Sequence, residues 1–127
     1  MTRHPQSTVL LVEPHPDSAA MFAEVLRWAG FRVETTAIAD PGRTVLPLRP
    51  PDITVVGLRS CEAPVTAALT SGHTIPAIAI TSDPRDIDQA HALGYASVLL
   101  RPVDPTRLIS EVRRVLRDTR HSTPGAA

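Results

Sequence analysis

Four short apolar runs each close on a residue that bears on chemistry: Glu13 offers a carboxylate, Thr81 a hydroxyl and Arg101 a guanidinium, while the run Ile53-Thr-Val-Val56 ends at Gly57 with no side chain. Ser60, Cys61 and Ser82 lie just beyond two of these ends. Nucleophilic catalysis by a hydroxyl or thiol needs a base within hydrogen-bond reach, and none is visible beside these three. Loop chemistry accounts for Ser60 and Ser82. Cys61 as a redox sensor would need an activated thiolate, for which Arg59 is the neighbouring cation; a lone Cys is more often a small, inert hydrophobe. The five histidines, His4, His15, His73, His91 and His121, show no metal-ligand spacing, so neither a metal nor a cofactor is expected. If the runs are strands of an open parallel sheet, their carboxyl ends are where a site is placed.

The elements needed to bring these ends together follow in order along the chain. Thr8-Val-Leu-Leu-Val12 is a continuous apolar run of strand length, the pattern of a strand covered on both faces. From Asp17 to Ala29, Met21, Val25 and Trp28 recur at helical spacing with Phe22, Leu26 and Ala29 beside them, and Gly30 supplies a stop. Phe31 to Ala37 alternates apolar and polar residues, as an edge strand does. A short helix is expected within Ala39 to Arg49, limited by Pro41, Pro47 and Pro50. Pro50-Pro51 then introduces the third strand, whose β-branched run Ile53 to Val56 suits a central position. A helix carrying Val65, Ala68 and Leu69 precedes Gly72, and Ile75 to Thr81 forms the fourth strand.

Asp83-Pro84 predicts a cap and a first-position proline for a fourth helix bearing Ile87, Ala90 and Leu93, stopped by Gly94. Tyr95 to Arg101 is the fifth strand, and Asp104-Pro105 opens a fifth helix in the same manner. Leu108, Ile109, Val112, Val115 and Leu116 give that helix a wide apolar face, and Arg113, Arg114, Arg117 and Arg120 suit its negative end. Five strand-then-helix units with short connections make an α/β domain with a parallel sheet and helices on both faces. Residues 1–7 are expected to form a loose arm, 8–118 the domain and 119–127 a disordered tail.

At 127 residues the chain has room for one domain, burying roughly two thirds of its unfolded surface. Thirteen basic and thirteen acidic residues balance without a long run of one sign, which argues against a nucleic-acid or anionic-membrane surface. All the bases are Arg. The single cysteine cannot form an internal disulfide, and the apolar runs fall far short of the roughly 20 residues of a membrane span, so a cytoplasmic protein is expected.

Taken in order, Val9-Leu-Leu-Val-Glu13, Pro51-Asp-Ile-Thr-Val-Val-Gly-Leu58, Ile75-Pro-Ala-Ile-Ala-Ile-Thr81, Gly94-Tyr-Ala and Leu100-Arg-Pro102 followed by Asp104 and Leu108 resemble the receiver domain of bacterial response regulators. The resemblance runs from about Val9 to Leu116. It implies a flavodoxin-like (CheY-like) three-layer α/β/α fold with strand order 2-1-3-4-5 and one pocket at the tips of strands 1, 3, 4 and 5. A working receiver holds Mg with two acidic residues after strand 1 and accepts phosphoryl on an Asp at the tip of strand 3. A Ser or Thr follows strand 4 and a Lys follows strand 5. This chain presents Glu13 and Pro14, Gly57, Thr81 and Arg101 at those places, so the resemblance implies a degenerate phosphorylation pocket. Aspartyl phosphorylation needs a carboxylate nucleophile and a hard cation with oxygen ligands, and Gly57 and Pro14 supply neither. The family's switch aromatic in strand 5 is replaced by Val98.

The expected function is therefore that of a stand-alone pseudo-receiver: not an enzyme, but a protein-interaction module in two-component (phosphorelay) signalling. Without Mg, Glu13 and Arg101 are expected to form a salt bridge across the tips. The partner would be a signalling kinase, a downstream regulator or a second copy, docked on the fourth helix, fifth strand and fifth helix, where Asp86, Asp88, Arg107, Glu111 and Arg114 are available for cross-pairing. The alternative is a sensor domain whose emptied pocket holds an anion or small ligand against Thr81, Arg101 and backbone N–H groups. A flavin enzyme is disfavoured, because Glu13-Pro-His-Pro16 is not a small, hydroxyl-rich phosphate loop.

Overall fold

A computed structural model of the chain describes residues 6–36, 51–58 and 75–121. Along these run β1 (Thr8–Val12), α1 (Pro16–Trp28), β2 (Arg32–Thr36), β3 (Ile53–Gly57), β4 (Ala77–Thr81), α2 (Asp86–Ala92), β5 (Ser97–Leu100) and α3 (Pro105–His121). The second and third predicted helices lie outside the described residues; α2 and α3 are the fourth and fifth. The strands form one parallel sheet in the order β2-β1-β3-β4-β5, as the resemblance implied.

Alternation along the strands divides the core between the two faces of the sheet. Val9, Leu11, Val33, Ile53, Val55, Ile78, Ile80 and Leu99 pack against Phe22, Ala23 and Leu26 of α1 and Leu108, Val112, Val115 and Leu116 of α3. Leu10, Val12, Val56, Ala77 and Ala79 point the other way and meet Ala90 of α2 and Tyr95. Burying each Leu, Ile or Val contributes about 1.5–3 kcal/mol, so β1, β3 and β4, apolar on both faces, hold the domain together. β2, with Val33 as its buried residue, is the edge strand that its alternation predicts.

Of the two neighbouring apolar stripes on helix α1, one faces the core. Met21 and Trp28 are exposed, and the buried stripe is Phe22, Ala23 and Leu26, one residue round the helix. Small Ala23 lets that side approach the sheet closely, whereas Trp28 there would hold the helix off. The helix ends in a Schellman motif: Phe31 N donates to Leu26 O (3.1 Å) and Gly30 N to Arg27 O (3.0 Å), with Gly30 at φ 101°. Gly94, at φ 108°, ends α2 in the same way.

The start of α2 departs from expectation. Asp83 and Pro84 do not cap the helix but form a turn ahead of it, in which Asp86 N donates to Asp83 O and Arg85 N to Asp83 Oδ1. The helix begins at Asp86, with Arg85 as a cap that makes no side-chain bond. Asp104 does cap α3, accepting from Thr106 N (2.8 Å) ahead of Pro105. That helix continues to His121, three residues past the boundary expected for the domain at 118.

Candidate functional site

Pairing of Val12 with Val56 sets Glu13 beside Gly57 at the ends of β1 and β3. Glu13 is 4% exposed, and its backbone N–H continues the sheet by donating to Thr36 O (3.0 Å). Its carboxylate is satisfied from two sides: Arg101 Nη2 donates to Oε2 (3.1 Å) and His15 N to Oε1 (3.3 Å). The expected bridge between Glu13 and Arg101 is thus present, across a gap of 88 positions in the chain. Arg101 is held in turn by its own N–H, which donates to Thr81 O (2.8 Å), and its side chain is 26% exposed.

Gly57 is explained by this bridge. A Cβ added there would overlap Glu13 Oε2 and lie 3.0 Å from Arg101 Nη2. The carboxylate of Glu13 therefore fills the space in which a side chain at position 57 would start. A side chain at 57 and the present position of the Glu13 carboxylate cannot coexist.

Beside the bridge opens a cavity of about 440 Å³, lined by Glu13, Pro14, His15, Gly57, Ser82 and Arg101 among others. Its charge is balanced, one carboxylate against one guanidinium. Thr81, which the resemblance places at the pocket, is 2% exposed and engaged elsewhere: its hydroxyl donates to Asp86 Oδ2 (3.0 Å) and accepts from Asp83 N (3.1 Å). The tip of β4 is thereby fastened to the first turn of α2. Val98 is half-buried against the second core cluster, which also contains Tyr95. Ser60 and Cys61 lie outside the described residues. Among the described residues, no group of three or more His, Cys, Asp or Glu side chains could hold a metal ion.

Two of these contributors are invisible in the sequence pattern. His15 serves through its backbone N–H and as the α1 N-cap, its Nδ1 accepting from Ser18 N (3.4 Å). Asp86 was expected at an interface and instead holds Thr81. A hydroxyl followed by an Asx turn and a carboxylate five residues on is the signal that could have found it.

The remaining interface candidates are also engaged within the chain. Glu111 accepts from Arg114 Nε (2.6 Å) and Ser97 Oγ (3.2 Å) and lies 3.8 Å from Arg107, while Arg114 also reaches Asp118 (3.1 Å). This ladder runs along α3, so the expected cross-pairing between copies competes with bonds already made; Asp88 is exposed. The Arg114 hydrogen bond holds the Glu111 carboxyl below its ordinary range, with Arg107 and Ser97 helping and burial opposing. Stability from a lowered carboxyl is complete above the ordinary Glu value of about 4.3 and is lost as pH falls through the folded-state value. Glu111→Gln should flatten the acid limb of unfolding temperature against pH; an unaltered acid limb would mean that the ladder adds nothing.

No family model and no curated protein matches the sequence. Solved structures do match. A CheY-like response regulator receiver domain protein from Methanospirillum hungatei superposes with a TM-score of 0.75 at 16% identity, over 94% of this chain and 100% of that one. A response regulator receiver protein from Burkholderia phymatum gives 0.73 at 23%, over 88% and 96%. The signal receiver domain of a histidine kinase from Syntrophus aciditrophicus gives 0.73 at 24%, over 93% and 96%. The chain has the flavodoxin-like fold of receiver domains over nearly its whole length. Among the described residues, no helix is long and apolar enough to cross a membrane.

Proposed function

We propose that this chain is a pseudo-receiver: a receiver domain that cannot be phosphorylated at the usual site and acts in the cytoplasm as a protein-interaction module in two-component signalling. One observation carries this: the Glu13 carboxylate, bridged to Arg101, fills the space that a side chain at position 57 would enter. The bridge takes the place of the charge relationship that a phosphorylated receiver makes through its acceptor, metal and Lys. With Thr81 fastened to Asp86, the tips of β4 and β5 are held in one arrangement without a phosphoryl group. A domain fixed in this way works by binding and not by catalysis. The face of α2, β5 and α3 is the surface for a kinase or downstream regulator, with Leu93 and Leu100 as its exposed apolar residues.

A ligand-binding sensor is the second reading, favoured by the size of the cavity beside the bridge, which falls in the usual range for ligand sites. Arg101 already faces a carboxylate there, which weakens its pull on an anion. Mg separates a working site from this one, because a cation that binds the folded state raises its unfolding temperature. The pseudo-receiver should melt at the same temperature with and without millimolar Mg. Mg-dependent stabilisation would sink it, and a small molecule retained in native mass spectrometry would favour the sensor.

A further inference from the structure

The β2 edge of the sheet is touched by a side chain from elsewhere in the chain. In a parallel pair, alternate residues of a strand turn their N–H and C=O groups to the neighbour, and the residues between turn theirs away. Arg32 N donates to Ser7 O and Thr36 O accepts from Glu13 N, both at 3.0 Å. Arg32, Glu34 and Thr36 therefore face β1, while Val33 and Thr35 present their backbone groups to the outer edge. One of those outward carbonyls is occupied: Arg27 Nη2, reaching across from the last turn of α1, donates to Val33 O at 3.1 Å. The favourable field of the helix end accounts for a basic residue at position 27, but not for its turning onto the strand.

We propose that Arg27 is an edge guard, a residue whose guanidinium holds the carbonyl through which β2 would otherwise pair with β2 of a second copy of this chain. A row of outward N–H and C=O groups is a template for another strand, and charged side chains at the edge are a recurrent means of blunting it. The charges of β2 favour one register of such pairing. Antiparallel and centred on Val33, it exchanges both backbone bonds between the two Val33 residues and sets Arg32 of each copy against Glu34 of the other. Centred on Glu34, it would set the two carboxylates against each other. Val33 O lies at the centre of the register that charge favours, and it is the acceptor that Arg27 takes.

Sedimentation velocity over a concentration series of the full chain, with the unfolding temperature measured alongside, tests this. Arg27→Ala is expected to associate more tightly than wild type by on the order of tenfold, since the pairing no longer displaces a hydrogen bond from a charged donor. Arg27→Lys should behave as wild type. Arg113→Ala, which removes a comparable bond to Ala29 O (3.3 Å) away from the edge, should leave association unchanged. Adding Glu34→Arg to Arg27→Ala should abolish the gain, and adding Arg32→Glu as well should return it. If Arg27→Ala lowers the unfolding temperature yet associates no more than wild type, Arg27 only ties α1 to β2 and the proposal is overturned. A gain that survives Glu34→Arg, or one matched by Arg113→Ala, would place the contact elsewhere and overturn it as well.

Discussion

Replacing Arg101 with methionine is expected to destabilise the domain by about 3–5 kcal/mol, the effect of leaving a buried charge without its partner. The Glu13 side chain is only 3% exposed, and without Arg101 its carboxylate keeps the N–H of His15 as its one hydrogen bond within the chain. The reciprocal change should be milder. In Glu13→Ala the stranded group is Arg101, already 26% exposed on a long, flexible stem, and it can swing outward. About 3 kcal/mol is the upper end for that variant. Arg101→Lys should fall between wild type and Arg101→Met, because an ammonium keeps the charge but not the fork of donors. Chemical denaturation of the set checks the order. Equal, near-zero effects would mean that the bridge contributes no stability.

Gly57→Ala should also destabilise, by about 1–3 kcal/mol, although it adds one methyl group. Elsewhere in a strand the same change ordinarily stabilises by about 0.5–1 kcal/mol, so the sign alone is informative. The reason is steric: the new Cβ overlaps Glu13 Oε2 and crowds Arg101 Nη2, so the Glu13 side chain must turn aside from its place in the bridge. The two sites should therefore be strongly non-additive: in a Glu13→Ala background, Gly57→Ala should become nearly neutral. Gly57→Asp in the wild type should be at least as damaging as Gly57→Ala. Combined with Glu13→Ala it should regain stability, since the new carboxylate can then face Arg101. Additive effects across this cycle would show that Gly57 and Glu13 do not share the space.

The strands were legible because a strand covered on both faces is apolar throughout, as residues 8–12, 53–57 and 77–81 are, whereas their order came from the resemblance to receiver domains. The bridge was legible once the resemblance gathered the ends of strands 1, 3, 4 and 5 around one pocket, because opposite charges at Glu13 and Arg101 can then meet across two intervening strands. Helix α1 was legible as a helix, but two apolar stripes lie side by side on it, and sequence periodicity does not say which one the sheet accepts. Ala23, small enough for close approach, decided in favour of Phe22 and Leu26. The outward turn of Thr81 depends on a tight turn that sends Asp86 back to it, and the exclusion between Gly57 and Glu13 depends on strand register. The first is local to residues 81–86, whereas the second is not written in spacing along one segment. Helices predicted near Ala39 to Arg49 and beyond Pro64, with Ser60 and Cys61, lie outside the described residues.

On the proposed function, the Glu13–Arg101 bridge stands where a working receiver carries out phosphoryl chemistry. Incubation of the full chain with Mg and acetyl phosphate, followed by intact mass measurement under conditions that preserve acyl phosphates, tests it most directly. The unmodified mass is predicted at every time point. A phosphoryl adduct, whether acid-labile or stable, would contradict the claim.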